Sequence, residues 1–219
     1  WGLLFVVVNF TLFLLVGRLF GKNGLYAWVG LVPLLANIQV VKTIEMLGIV
    51  MTLGNTIFAT LSMTTDLINE RFGQKAAKQA VWLGFFSLVS STIIMQMVLA
   101  FQPQAEDIAQ GAMETLFGLM PRVAAGSLIA YLAGQFIDVR LFGVIRRKFS
   151  GDRQFWIRVL GSTGISQFVD SLVFCTIAFI GLYSTPVWIE IVLTTYLLKF
   201  IIAAAGKPVL YVARKFRLD

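Results

Sequence analysis

VLGSTGISQFVDSLVFCTIAFIGL, residues 159–182, is an almost wholly apolar stretch whose one charged residue is Asp170. A helix needs about 20 mainly apolar residues to cross a bilayer core about 30 Å thick. The stretch therefore predicts a membrane-spanning helix. An ion near its middle costs at least about 2.5–3.5 kcal/mol on insertion scales, so Asp170 also predicts either a partner of opposite charge or a function.

The rest of the chain repeats this pattern. Of its 219 residues, 58% are hydrophobic and 13% are charged, which excludes a water-soluble domain. Apolar runs separated by short polar breaks predict seven spans, at roughly 1–20, 25–42, 48–68, 79–101, 118–140, 159–182 and 187–206. We predict an all-α, polytopic transmembrane bundle of about seven spans, a six-span core with an N-terminal span, forming a single domain over residues 1–219.

Three absences narrow the chemistry. The sequence has no His, which removes His-based acid–base catalysis and the commonest zinc ligand. Its single cysteine, Cys175, cannot form an intrachain disulfide, and there is no phosphate-binding loop for ATP. The sequence therefore predicts no cofactor, no metal and no enzymatic activity.

Basic residues predict the orientation, because short loops rich in Lys and Arg stay in the cytoplasm. They cluster after alternate spans, around 18–22, 71–78, 140–158 and 207–217, whereas Lys42, Arg122 and the acidic loop around Glu106 fall on the opposite side. The C-terminus is thus predicted inside and Trp1 outside. This distribution also accounts for the net charge of +7 without a nucleic-acid partner.

The seventh span carries a second intramembrane ion, Lys199. The sixth and seventh spans are consecutive and antiparallel, so Asp170 and Lys199 lie at similar depth and an ion pair is available. The pair either only locks two helices together or lines a polar cavity in which a ligand exchanges with one partner. Ser162, Ser166 and Asp170 recur every fourth residue with Gln167 alongside, and this polar stripe should face protein or water.

Other polar and small residues also lie within or beside the predicted spans. Asp66 and Glu70 share a face at the end of the third span, which is either a solvated helix end or the floor of a cavity. Asn37, Gln135 and Asp138 are helix-joining groups or ligand contacts. Tryptophans near span ends are expected to anchor at the interface, namely Trp28, Trp82, Trp156 and Trp188.

A ladder of small residues, Gly126, Ala130 and Gly134, runs along the fifth span. Small residues at every fourth position let another helix approach closely. The ladder therefore serves internal packing or a homodimer.

Five stretches resemble the queuosine precursor transporter family, also called the vitamin uptake transporter family. They are LLANIQVVK, TTDLINERFGQKAAK, AAGSLIAYLAGQFIDV, WIRVLGSTGISQFVDSLVFCTIAF and YLLKF, in order across about residues 33–212. The first span, Trp1–Phe20, is additional to the compact six-helix members.

The resemblance implies a transporter that imports a 7-deazapurine solute, 7-cyano- or 7-aminomethyl-7-deazaguanine, across the bacterial inner membrane by alternating access. It implies a midplane site mainly on the sixth and seventh spans, closed from the cytoplasm by the third and fifth. The implied polar positions are Asn37, Lys42, Asp66, Asn69, Glu70, Gln135, Asp138, Arg158, Ser162, Gln167, Asp170 and Lys199. Ser166 is also predicted to bind the substrate, because it belongs to the polar stripe of the sixth span.

Two other classes fit the same hydrophobic pattern. A solute-binding membrane subunit of an ATP-driven importer would co-purify with an ATPase. The second class is a membrane enzyme or a structural scaffold. A metal-dependent enzyme would use the carboxylates of Asp66 and Glu70.

Overall fold

The computed structural model describes residues 1–46, 48–148 and 155–213, without some of the side chains within those ranges. The described chain is almost entirely helical. Its elements are α1 (Gly2–Gln39), β1 (Thr43–Met46), β2 (Ile49–Thr52), α2 (Gly54–Leu99), α3 (Gln110–Phe117), α4 (Met120–Lys148), α5 (Phe155–Phe179) and α6 (Thr185–Ala213).

Two glycines break the longest helices. Gly21 in α1 has φ 54° and ψ −137°, and Gly73 in α2 has φ 81° and ψ 171°, conformations that residues with a Cβ rarely adopt. An unbroken α1 of 38 residues would be about 57 Å long, far more than a bilayer core. Each break coincides with a predicted turn, so α1 and α2 each contain two of the predicted spans.

A two-stranded hairpin stands where the sequence predicted the start of the third span. Strands β1 and β2 pair with each other, and Gly48 in the turn between them has φ 75°. Thr43, Ile44 and Val50 are β-branched and favour an extended backbone over a helix. The helix therefore begins at Gly54 rather than at residue 48.

Several helices are suited to a membrane. Among the described residues, three helical segments are long and apolar enough to span one, Gly2–Gln39, Arg71–Leu99 and Gln110–Gly134, and Gly164–Phe179 is a shorter apolar helix. The second half of α2 exposes large apolar side chains such as Trp82 (72%) and Phe86 (71%). Lipid is the solvent that such a surface requires, so the chain is a multi-pass helical membrane protein.

The chain divides into two compact units. The first comprises Trp1–Ile44, Thr52–Pro121 and Ile201–Asp219, and the second comprises Glu45–Met51 and Arg122–Phe200. The core of the first unit includes the fully buried Leu25, Val29, Val32, Leu67 and Ile68. Apolar residues from α4, α5 and α6 are buried in the second, among them Val123, Cys175, Ala178 and Ile191.

One predicted interfacial anchor is wrong. Trp28 is buried in the first unit, where its indole Nε1 donates to the Thr60 hydroxyl at 3.0 Å. Thr60 itself donates to the Ile57 carbonyl, so the indole finds its acceptor inside the protein and not at a lipid headgroup. Trp82, in contrast, is largely exposed, as an anchor would be.

Candidate functional site

An ion pair joins α5 and α6 within the second unit. Lys199 Nζ donates to Asp170 Oδ2 at 2.5 Å, and the two side chains are 18% and 20% exposed. The sequence made this pair available, and the structure forms it. Because each ion is partly accessible, the pair is neither sealed in the core nor fully hydrated. A ligand that reaches it can compete for either partner.

Helix α4 approaches α5 most closely beside Asp170. A Cβ added at Gly134 would lie 3.2 Å from the Asp170 Cβ and 3.5 Å from the Ser166 carbonyl oxygen. About two turns earlier on α4, Gly126 likewise lies against the Phe174 carbonyl and Ile177. This face of α4 is thus occupied by α5, which is the internal-packing role of the ladder.

The aromatic ring of Phe174 lies one helical turn from Asp170. Lys199 Nζ is 5.7 Å from the centroid of this ring, within the range of a cation–π contact. Phe174 also packs edge to face on Phe179, with ring centroids 5.7 Å apart. The ammonium is therefore held between a carboxylate and a fixed aromatic ring.

Two polar side chains near the pair are not fully engaged. Gln167, one turn before Asp170, is half-buried and forms no hydrogen bond with the rest of the described chain. Ser171 is fully buried, and its hydroxyl has no partner among the described residues. Ser166 is buried at 6% exposure. The partly accessible Gln167 amide is therefore available to a ligand, whereas the buried Ser171 hydroxyl is the unfavourable case of a polar group without a partner.

Of the remaining predicted site residues, two belong to the first unit and four have side chains that the structure does not describe. Asn37, in the first unit, is buried and donates to the Pro33 carbonyl of its own helix at 2.8 Å. Asp66 is exposed on α2, also in the first unit. The structure describes the backbone but not the side chains of four others, which are Glu70, Gln135, Asp138 and Ser162.

The outer edge of the hairpin is bonded to α6 within the second unit. The Val50 amide donates to Glu190 Oε2 at 3.4 Å, and the Thr194 hydroxyl donates to the Val50 carbonyl at 3.2 Å. Edge strands otherwise leave such groups unpaired. Helix α6 therefore carries both the contacts of the hairpin and, about one turn farther along, Lys199.

The chemistry of this arrangement favours binding. Asp170 offers two acceptor oxygens, Lys199 offers donors, and Gln167 offers both. Among the described residues no group of three or more His, Cys, Asp or Glu side chains is placed to hold a metal ion.

Sequence reasoning missed Ser171 and Tyr196. Serine in a span usually bonds to its own helix, so Ser171 gave no signal. Tyr196 lies in the YLLKF stretch three residues before Lys199, and this spacing was the signal that could have singled it out.

Comparison with known proteins gives a consistent result. A family described as "Putative vitamin uptake transporter" matches residues 52–213. The chain is 45% identical over 211 residues to a Bacillus subtilis protein named "Probable queuosine precursor transporter", covering 96% of this chain and 92% of that one. It is 27% identical over 183 residues to the Escherichia coli "Queuosine precursor transporter", covering 80% of each. No solved structure matches the chain significantly.

Proposed function

Because the chain belongs to the vitamin uptake transporter family, we propose that it imports queuosine precursors, 7-cyano- or 7-aminomethyl-7-deazaguanine, across the bacterial inner membrane. The observation that carries the proposal is the 45% identity to a relative named for this transport, which extends over 96% of the chain. In this proposal, the chain is a transporter and not an enzyme. The ion pair of α5 and α6 supplies a polar group of the kind that a nucleobase-like solute needs.

The solute site that we propose is centred on Asp170 and Lys199. A guanine-like edge presents adjacent N–H donors, and a carboxylate accepts two such donors at once. Solute binding at Asp170 replaces its bond with Lys199, so the carboxylate is never left unpaired during the exchange. Gln167 and Ser166 complete the polar wall beside it. The other predicted contacts, Asn37, Asp66, Glu70, Gln135, Asp138 and Ser162, remain sequence-based assignments.

The pair also bears on which precursor is preferred. An aminomethyl precursor carries a positive charge, which favours a site where Asp170 is freed from Lys199. A nitrile precursor carries none and relies on hydrogen bonds alone. A site of this kind therefore distinguishes the two precursors by charge.

We place the site in a single domain of seven spans with a cytoplasmic C-terminus, working by alternating access. Three features support this arrangement: the alternation of basic and acidic loops, the breaks at Gly21 and Gly73, and the run of three long apolar helices among the described residues. Seven spans then follow from two in each broken helix and one in each of α4, α5 and α6.

Replacement of Asp170 tests the proposed function in cells. Asp170→Asn keeps the shape of the side chain but removes the charge and half of the acceptor capacity. In cells that cannot make the precursor, this variant should abolish precursor-dependent queuosine formation while the amount of protein in the membrane stays normal. Glu106→Gln, which neutralises an exposed loop carboxylate, is the matched control and should leave queuosine formation unchanged. Normal queuosine formation by Asp170→Asn would refute the site.

A further inference from the structure

Tyr196 is a half-buried tyrosine on the face of α6 that carries Lys199. The two residues are three apart, so their side chains are neighbours on the helix. The Tyr196 hydroxyl forms no hydrogen bond with the rest of the described chain. Because Tyr196 is half-buried and its hydroxyl is not sealed inside the protein, a solute that reaches this face of α6 finds a free donor and acceptor there.

The ring of Tyr196 is held in a fixed orientation. It packs against Phe168 of α5 with centroids 5.5 Å apart and an interplanar angle of 87°. An edge-to-face pair of this kind uses at most one face of either ring. The contact with Phe168 does not itself occupy both faces of the Tyr196 ring, and stacking of a flat solute needs only one face.

Gly164 leaves space beside the Tyr196 hydroxyl. A Cβ built at Gly164 would lie 3.9 Å from this hydroxyl oxygen, and no other described atom outside the local turn of α5 lies within 4 Å of that Cβ. Gln167 lies about one turn after Gly164 on α5, and Asp170 lies about one turn after Gln167. The space beside Gly164 therefore adjoins the Tyr196 hydroxyl, and the Gln167 amide and the ion pair follow it along the same helix.

We propose that Tyr196 is a solute-contacting residue that selects flat bicyclic bases. Its ring stacks on the base, and its hydroxyl hydrogen-bonds the edge of the base in the space beside Gly164. The inference rests on the proposed function, because it takes the solute to be a nucleobase-like molecule. Stacking of an aromatic side chain on a base tolerates changes at the base edge but depends on the area of the flat ring. Tyr196 therefore determines selectivity for a bicyclic over a monocyclic solute.

The test compares Tyr196→Leu and Tyr196→Phe with the parent protein in proteoliposomes. The solutes are labelled 7-aminomethyl-7-deazaguanine, guanine and a monocyclic 2-aminopyrimidinone. Tyr196→Leu should raise KM for the bicyclic solutes at least about tenfold, with a smaller change for the monocyclic one. Tyr196→Phe keeps the ring and should raise KM for all three by only about three- to tenfold. Tyr183→Leu is the matched control, because Tyr183 is also paired edge to face with a phenylalanine, Phe179, but lies outside the site.

The outcomes separate the inference from the proposed function. If the parent protein takes up 7-aminomethyl-7-deazaguanine and Tyr196→Leu keeps the KM ratio of bicyclic to monocyclic solute, the role of Tyr196 is refuted while the proposed function stands. If the parent protein takes up guanine but not 7-aminomethyl-7-deazaguanine, and Tyr196→Leu lowers the preference for guanine over the monocyclic solute, the precursor assignment fails and the stacking role is upheld. If the parent protein takes up none of the three solutes, both are refuted.

Discussion

Single residues carry opposite charges into a region that otherwise excludes them, and Asp170 with Lys199 is the clearest case. Removing one partner of this partly buried ion pair leaves the other charge uncompensated, at a cost smaller than the about 3–5 kcal/mol of a fully buried pair. Asp170→Asn and Lys199→Met should each lower the unfolding temperature in detergent. The double variant should recover most of that loss, because it removes both charges together.

Transport by the double variant separates the two roles of the ion pair. A pair that only locks α5 to α6 is dispensable once both charges are gone, whereas a pair that binds solute is not. We therefore expect the double variant to be stable but inactive in uptake of labelled precursor. Recovery of uptake together with stability would reduce the pair to a helix lock.

Arg122, in the first turn of α4, has a structural role that its place among the charges of the non-cytoplasmic side did not reveal. Its guanidinium donates to the Ile177 carbonyl at 3.2 and 3.1 Å and to the Ile180 carbonyl at 3.0 Å, at the C-terminal end of α5. A cation there satisfies carbonyls that have no partner within the helix and complements the helix dipole. Arg122→Gln should destabilise the protein by about 1.5–3 kcal/mol, measured as a lower thermal unfolding temperature. Arg71→Gln, at an exposed position on α2, serves as the charge control, and an equal loss in both variants would contradict the capping role.

Predictions about single residues were confirmed where one charged group lies alone within an apolar run. Asp170 and Lys199 could be paired from the sequence because each is a single ion within an apolar run at matching depth. Trp28 was misassigned because hydrophobicity alone does not show that Thr60 lies beside its indole. Contacts between residues distant in the chain are set by packing, and no local pattern encodes them.

The bounds of the helices were predicted well where a glycine interrupts an apolar run. They were predicted poorly where two short strands interrupt it. The breaks at Gly21 and Gly73 follow from turn-forming residues beside long apolar segments.

Between the second and third spans, Lys42, Glu45 and Gly48 left either a tight hairpin or a broken helix open. The two strands themselves were not predicted, because four residues are too few to be told from the start of a span. The bonds of the hairpin to Glu190 and Thr194 of α6 come from distant parts of the chain and leave no local signal.

The contact of α4 with α5 depends on Gly134. A Cβ at this position would approach the Asp170 Cβ to 3.2 Å, so in Gly134→Ala the Asp170 position of α5 must give by a few tenths of an ångström. Overpacking of this kind costs about 1–3 kcal/mol. We expect lower precursor uptake with a raised KM, measured in membrane vesicles at matched protein levels. Gly111→Ala has no heavy atom within 4 Å of its new Cβ and should behave like the parent protein. Parent-like uptake by Gly134→Ala would show that the close approach is not required.

For the molecule as a whole, the distribution of basic residues makes a prediction about orientation. The clusters after alternate spans, including the one around 207–217, place the C-terminus in the cytoplasm. A C-terminal green fluorescent protein fusion should therefore fluoresce, and a C-terminal alkaline phosphatase fusion should be inactive. Fusions at residue 105, in the acidic loop, should give the reverse pattern. An active phosphatase at the C-terminus would invert the topology.

Uptake by the purified protein in proteoliposomes tests the transport claim most directly. Labelled 7-aminomethyl-7-deazaguanine is added outside vesicles that contain the parent protein, Asp170→Asn or no protein. We predict saturable accumulation with the parent protein that unlabelled precursor suppresses, and accumulation with Asp170→Asn no higher than in empty vesicles. Parent-protein vesicles that accumulate no more label than empty ones would contradict the assignment of this chain as a queuosine precursor transporter.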